Sequence, residues 1–176
     1  MTCRVLRHAD WDELHLTIPA DPTAEGEAPA EPGAPNDALL RAVSELHRRG
    51  ADALTATGFA VTSPGGSPLS APRGVPALFV EGAPCFGGLV SGVQAVGARG
   101  AAVTAYDASD GASVVVVEGR HARWAHVTGI VPASLWVTQH DQAREAYERA
   151  EAALSLAGMT FCQVVRTWVF IEDILG

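Results

Sequence analysis

The sequence predicts an α+β fold, and three observations carry that expectation. Residues 138–158 place Ala143, Ala146, Tyr147, Ala150, Ala153, Leu154 and Ala157 at helical spacing. Residues 163–171 form an apolar run that reads as a strand. One face would hold Val165, Thr167, Val169 and Ile171, the other Val164, Arg166, Trp168 and Phe170. From residue 76 to residue 128 the chain breaks into short alternating runs separated by turn residues.

Taken in order, Leu14, Leu16 and Ile18 alternate with His15 and Thr17 as in a half-buried strand. Residues 19–35 combine five prolines with acidic and small residues and read as a solvated loop. Asn36 or Asp37 then caps a helix through Leu39, Leu40, Val43, Leu46 and His47, closed by Arg48, Arg49 and Gly50. A short strand is expected at Gly58–Thr62, then a Gly/Pro/Ser loop over residues 63–75. The β-rich region offers strands at Ala77–Glu81, Gly88–Val96, Ala102–Tyr106, Ser113–Glu118 and Trp124–Thr128, with Gly100 and Asp110-Gly111 as turns. Thr138 followed by Asp141 resembles a capping box, and Gly158 stands where the second helix should end. The alanine stripe (Ala143, Ala146, Ala150, with Leu154) should let this helix lie close on a sheet containing Val165, Val169 and Ile171. An apolar strand at 163–171 needs neighbours on both edges and cover on both faces.

With 176 residues, 48% of them hydrophobic, the chain suits one full domain or two small ones. A net charge of −8 argues against nucleic acid as a partner, and all 12 basic residues are Arg. Together with abundant Ala and Gly, that usage reads as GC-rich codon bias. No apolar run approaches the ~18 residues of a spanning helix, so no membrane partner is expected. The first residues lack a signal-peptide core, and three cysteines are too few and odd in number for a disulfide framework. A cytoplasmic, reduced location is expected.

Some of the wording is familiar. Thr128-Gly129-Ile130-Val131-Pro132 resembles the Ser-Gly-Gln-Ile-Pro type segment of the YjgF/RidA superfamily. Gln142–Leu175 is similar to that superfamily's helix, "AG" turn and "VV(K/R)T-x-VF" strand, and Arg166-Thr167-Trp168 looks most like the chorismatase branch. The resemblance covers about residues 113–175. It implies a chorismate-mutase-like sheet with helices on one face, assembled into trimers with ligand clefts between subunits. Residues 1–112 would be a degenerate N-terminal copy of the unit, and residues 113–176 the first part of a second copy. It also implies hydrolysis or elimination on a small metabolite by acid/base side chains, with no metal or organic cofactor. The alternatives are a non-catalytic binding or scaffolding member and an imine/enamine deaminase.

The superfamily's pattern continues past this "D-I-L" with a further helix, two strands and the catalytic Glu. Gly176 is therefore expected to be a junction, made by proteolysis, self-cleavage or gene splitting. A complementary C-terminal polypeptide would then complete the unit. Thr128 and Gly129 map onto the cleft-lining pair of the resemblance and Arg166 and Trp168 onto its strand. His126 would share a strand face with Trp124 and Thr128. These five, Thr128, Gly129, Arg166, Trp168 and His126, are the expected substrate-binding residues. His121 and His126 lack zinc-motif spacing. Cys85 beside Gly87 and Gly88, and Cys162, carry no attached nucleophile signature. Gly92–Gly97 lacks the strand–turn–helix setting of a phosphate loop.

Overall fold

The computed structural model describes residues 1–19, 34–60, 76–81, 90–108, 111–134 and 136–170. The expected loops at 19–35 and 63–75, Cys85 and the chain end beyond Phe170 lie largely or wholly outside them. The fold is α+β, with two sheets and two helices.

The first strands, β1 (Thr2–Arg7) and β2 (Asp12–Pro19), form an antiparallel hairpin. Sequence reasoning saw only the second of these, because β1 is exposed along nearly its whole length and shows no alternation. Helix α1 (Ala34–Arg48) comes next, and its C-terminus is closed by Gly50 at φ 72°. Strand β3 (Asp52–Ala60) begins earlier than the expected 58–62. Its Ala/Thr-rich first half carries little hydrophobic signal. Strand β4 (Ala77–Glu81) pairs parallel with β3, and β5 (Val90–Arg99) pairs antiparallel with both β2 and β3. The five-stranded order is β1-β2-β5-β3-β4, so β5 fills the slot between the strand before α1 and the strand after it.

The Gly100 turn (φ 85°) leads into an antiparallel meander of β6 (Ala102–Asp107), β7 (Ser113–Glu118) and β8 (Arg123–Thr128). Helix α2 (Gln139–Leu156) has Thr138 as its N-cap. The hydroxyl accepts from the Asp141 amide at 3.1 Å and donates to the Asp141 carboxylate at 2.7 Å.

Three apolar clusters stack these parts into layers. Leu39, Ala42 and Leu46 of α1 bury against Leu14, Leu16, Ala56 and Ala95 of the larger sheet. Gly97 lies under the same helix, where an added Cβ would come within 3.0 Å of Leu46. On the opposite face Trp11, Leu54 and Ala98 meet Val115 and Val117 of β7. A register shift between Ala53 and Thr55 accompanies the turn of Leu54 to this side. The alternate β7 residues, Val114 and Val116, face Ala153 and Ala157 of α2. The layers thus run α1, five-stranded sheet, three-stranded sheet, α2.

Two expectations are corrected. The packed part of α2 is its last turn, with Ala153, Leu154 and Ala157 buried, while Ala143 is exposed. Residues 164–170 belong to no helix or strand among the described residues, and all of them are exposed. The sheet under α2 is built from β7 and β8 instead. An extended backbone becomes a strand only where another edge accepts its hydrogen bonds, whatever its side chains prefer.

Candidate functional site

The site lies between the two sheets, beside their dry contact. On the sheet face turned away from α1, strand alternation places Glu13, His15 and Thr17 of β2, Thr55 and Thr57 of β3, and Gln94 and Val96 of β5. The facing surface of the meander carries Val115, Val117, Trp124, His126 and Thr128, paired across the β7/β8 ladder. Trp11, Leu54, Ala98, Val115 and Val117 seal one end of this space. The polar end holds the histidines and threonines.

Glu13 is the hub. Its Oε2 is 3.2 Å from His8 Nε2, and its Oε1 is 3.0 Å from His15 Nε2. The His15 nitrogen is buried and has no hydrogen-bond partner, so that contact is a close approach rather than a made bond. His8 is held by stacking on Trp11, with ring centroids 4.1 Å apart and planes 11° from parallel. From the other sheet, His126 comes within the field of both groups. Burial lowers its pKa below the ordinary 6.5; Glu13 opposes that shift and His15 adds to it. Burial thus holds His126 toward its neutral form, within the field of a carboxylate that favours the protonated one. Thr128 Oγ1 donates to Thr55 Oγ1 at 3.4 Å and bridges the sheets.

Of the five sequence-predicted residues, His126 and Thr128 lie on the β8 face turned toward the larger sheet. Gly129 comes directly after them at φ 79°, where an added Cβ would lie 3.4 Å from the Gly111 carbonyl oxygen, so the backbone itself demands glycine there. Arg166 and Trp168 meet each other, with the guanidinium 5.4 Å from the ring centroid, on the exposed segment after α2. Among the described residues, that pair makes no hydrogen bond, ion pair or ring contact with His126, Thr128 or Gly129. His121 is exposed in the β7–β8 turn. Arg123 donates to the Ala157 carbonyl at 2.6 Å and pairs with Glu118 at 3.1 Å, bracing the C-terminus of α2. Cys162 is a free, exposed thiol.

Sequence reasoning missed Glu13, His15, His8 and Thr55. A signal was present: His15-Leu16-Thr17 and His126-Val127-Thr128 are the same His-apolar-Thr pattern on two strands. Each places an imidazole and a hydroxyl on one face, and the fold turns the two faces toward each other.

Among the described residues, no group of three or more His, Cys, Asp or Glu is arranged to hold a metal ion. No helix among them is long and apolar enough to cross a membrane. No family model, curated protein or solved structure matches this chain.

Proposed function

We infer that the chain is a subunit or segment of a cofactor-independent hydrolase or lyase acting on a small metabolite in the cytoplasm, with a YjgF/RidA-like, chorismatase-like fold. The single observation that supports this most is the Glu13–His15 contact on β2, with His126 of the facing sheet close enough to feel the field of both groups. A neutral imidazole beside a carboxylate is the equipment of general acid/base chemistry. His126 would take a proton from water or from substrate carbon, and Glu13 would stabilise the imidazolium that results. The Thr55 hydroxyl, which accepts from Thr128, keeps its own O–H as a donor to a carbonyl or carboxylate held between the sheets. In the trimer the resemblance implies, neighbouring subunits would close this cleft.

The test is turnover of chorismate and of small imines and enamines, monitored by ultraviolet absorbance and product chromatography. Wild type should convert one of these classes, and Glu13→Gln and His126→Gln should each lose about 10²–10⁴-fold in rate. Conversion unaffected by both variants would remove the cluster from the chemistry. Calorimetric binding of these compounds without conversion would move the chain to the non-catalytic binding class.

A further inference from the structure

The two hairpins that carry His15 and His126 are built alike and meet at their turns. Hairpin β1/β2 pairs Thr2 with Thr17 through to Arg7 with Asp12; hairpin β7/β8 pairs Ser113 with Thr128 through to Glu118 with Arg123. Every partner in the second is displaced by 111 residues from the first, so His15 corresponds to His126 and Glu13 to Trp124. The turns carry the same hydrogen bond, His8 N to Trp11 O at 2.8 Å and Gly119 N to Ala122 O at 3.0 Å, so His8 corresponds to Gly119. The helices that follow also end alike: Ala51 N bonds Leu46 O and Met159 N bonds Leu154 O, both at 3.0 Å.

The two turns are fastened to each other. The Arg120 amide donates to the Asp10 carboxylate, and an added Cβ on Gly119 would lie 3.2 Å from both that carboxylate and the Trp11 ring. Trp11 is buried there, in the dry contact with Val115 and Val117. His8, the counterpart of Gly119, stacks on the same ring. Its Nε2 lies 3.2 Å from Glu13 Oε2, and because an ionised carboxylate only accepts, the proton of that bond sits on Nε2. Among the described residues this is the one side-chain hydrogen bond Glu13 makes. His15 approaches without a made bond, and the nearby Arg99 is engaged by Asp12 at 2.5 Å. Trp124 stands at the place of Glu13 in the second hairpin, so the carboxylate acting on His126 comes from the first.

We propose that His8 is a positioning residue: held flat on Trp11, it ties the Glu13 carboxylate in place and so keeps that charge within reach of His126 across the two sheets. A free Glu side chain samples many rotamers, and most of them would carry its charge away from the facing sheet. One hydrogen bond to a ring immobilised by stacking removes that freedom. The contacts run from the β7–β8 turn through Trp11 and His8 to Glu13. The hairpin that carries His126 therefore also sets the carboxylate that acts on it. The chemical use of this arrangement rests on the acid/base reading of Glu13 and His126; the arrangement itself can be measured without turnover.

The test follows the His126 ring of the full chain by nuclear magnetic resonance, with isotope-labelled histidine, as pH is varied. Glu13 opposes the lowering of His126 by burial, so Glu13→Gln should move its titration midpoint further down. His8→Phe keeps a flat ring for Trp11 and removes the nitrogen, at a residue exposed enough to leave the core intact. It should also move the His126 midpoint down, and the double variant should fall no lower than Glu13→Gln alone. Loss of a positive charge at residue 8 would by itself move His126 up, so a downward move reports the released carboxylate. A midpoint that either single variant leaves unmoved or raises overturns the proposal, as do two shifts that add in full. In any conversion the chain performs, His8→Phe should lower kcat about tenfold or more with KM within about twofold. The expected midpoint shifts without any conversion would sink the acid/base reading and keep the positioning role. Conversion that needs Glu13, with a midpoint indifferent to His8→Phe, would do the reverse.

Discussion

Residues Asp52–Ala60 and Val164–Phe170 each come after a helix closed by a left-handed glycine, and their fates are opposite. The first, DALTATGFA, holds three Ala, a Gly and an Asp, all poor strand formers, among its nine residues, yet it is an interior strand with Leu54 and Ala56 fully buried. The second, VVRTWVF, is β-branched and aromatic almost throughout, yet pairs with no strand among the described residues. A strand is therefore a property of its neighbours. β5 and β4 supply hydrogen-bond partners and α1 supplies cover for the first segment. Intrinsic preference spans only about 1 kcal/mol and cannot replace an absent ladder.

The largest expected effect compares the helix anchors. Leu46 is 0% exposed beneath a completed sheet, and its counterpart Leu154 is 8% exposed above a three-stranded one. In urea denaturation, Leu154→Asp should cost about 3 kcal/mol or more, since it buries an unpaired charge, and Leu46→Asp should cost still more. Equal costs would mean that the two helices are equally well seated and would erase the contrast.

The glycine caps sharpen the equivalence. Gly50→Ala and Gly158→Ala each put a Cβ into a left-handed conformation with room around it, for about 1 kcal/mol in each case. Matching losses in denaturation midpoint support a shared cap, whereas a loss at one position alone would break the correspondence. Gly129→Val should destabilise the fold as well as disturb the cleft, because its φ of 79° suits no β-branched residue. A variant melting like wild type would refute that strain.

A subtler contrast concerns the paired histidines. His126 has its folded pKa lowered, so between that value and 6.5 the unfolded chain binds more protons than the native one. Stability from this residue is therefore full above about pH 6.5 and declines as pH falls toward the folded pKa, below which it changes no further. Melting temperatures from pH 8 to pH 5 should drop more for wild type than for His126→Gln. Parallel curves would show that His126 titrates normally. The smallest effect is at the N-terminus of α2, where Thr138→Ala should cost about 1 kcal/mol by removing the cap to Asp141.

Much of this was legible residue by residue. Thr138, Asp141 and Gly158 bounded α2 because caps are local chemistry. The strands expected at 77–81, 102–106, 113–118 and 124–128 showed themselves through turn residues and β-rich runs, each within a residue of its observed bounds. His126 and Thr128 were recognisable as sharing a face. Glu13 and His15 were not recognisable as their partners, because nothing local says that a strand near residue 15 will face one near residue 126.

Local elements were set within the sequence: where helices begin and end, where turns fall, and which side chains share a face. Those depend on backbone dihedrals, capping groups and periods of 3.6 and 2, all established within a few residues. Long-range packing settled that Ala-rich 52–60 is a core strand, that 164–170 joins no sheet among the described residues, and that two His-apolar-Thr strands face each other from different sheets. Each of these requires hydrogen-bond partners, cover or opposing charge from residues far along the chain, and no short stretch of sequence contains them.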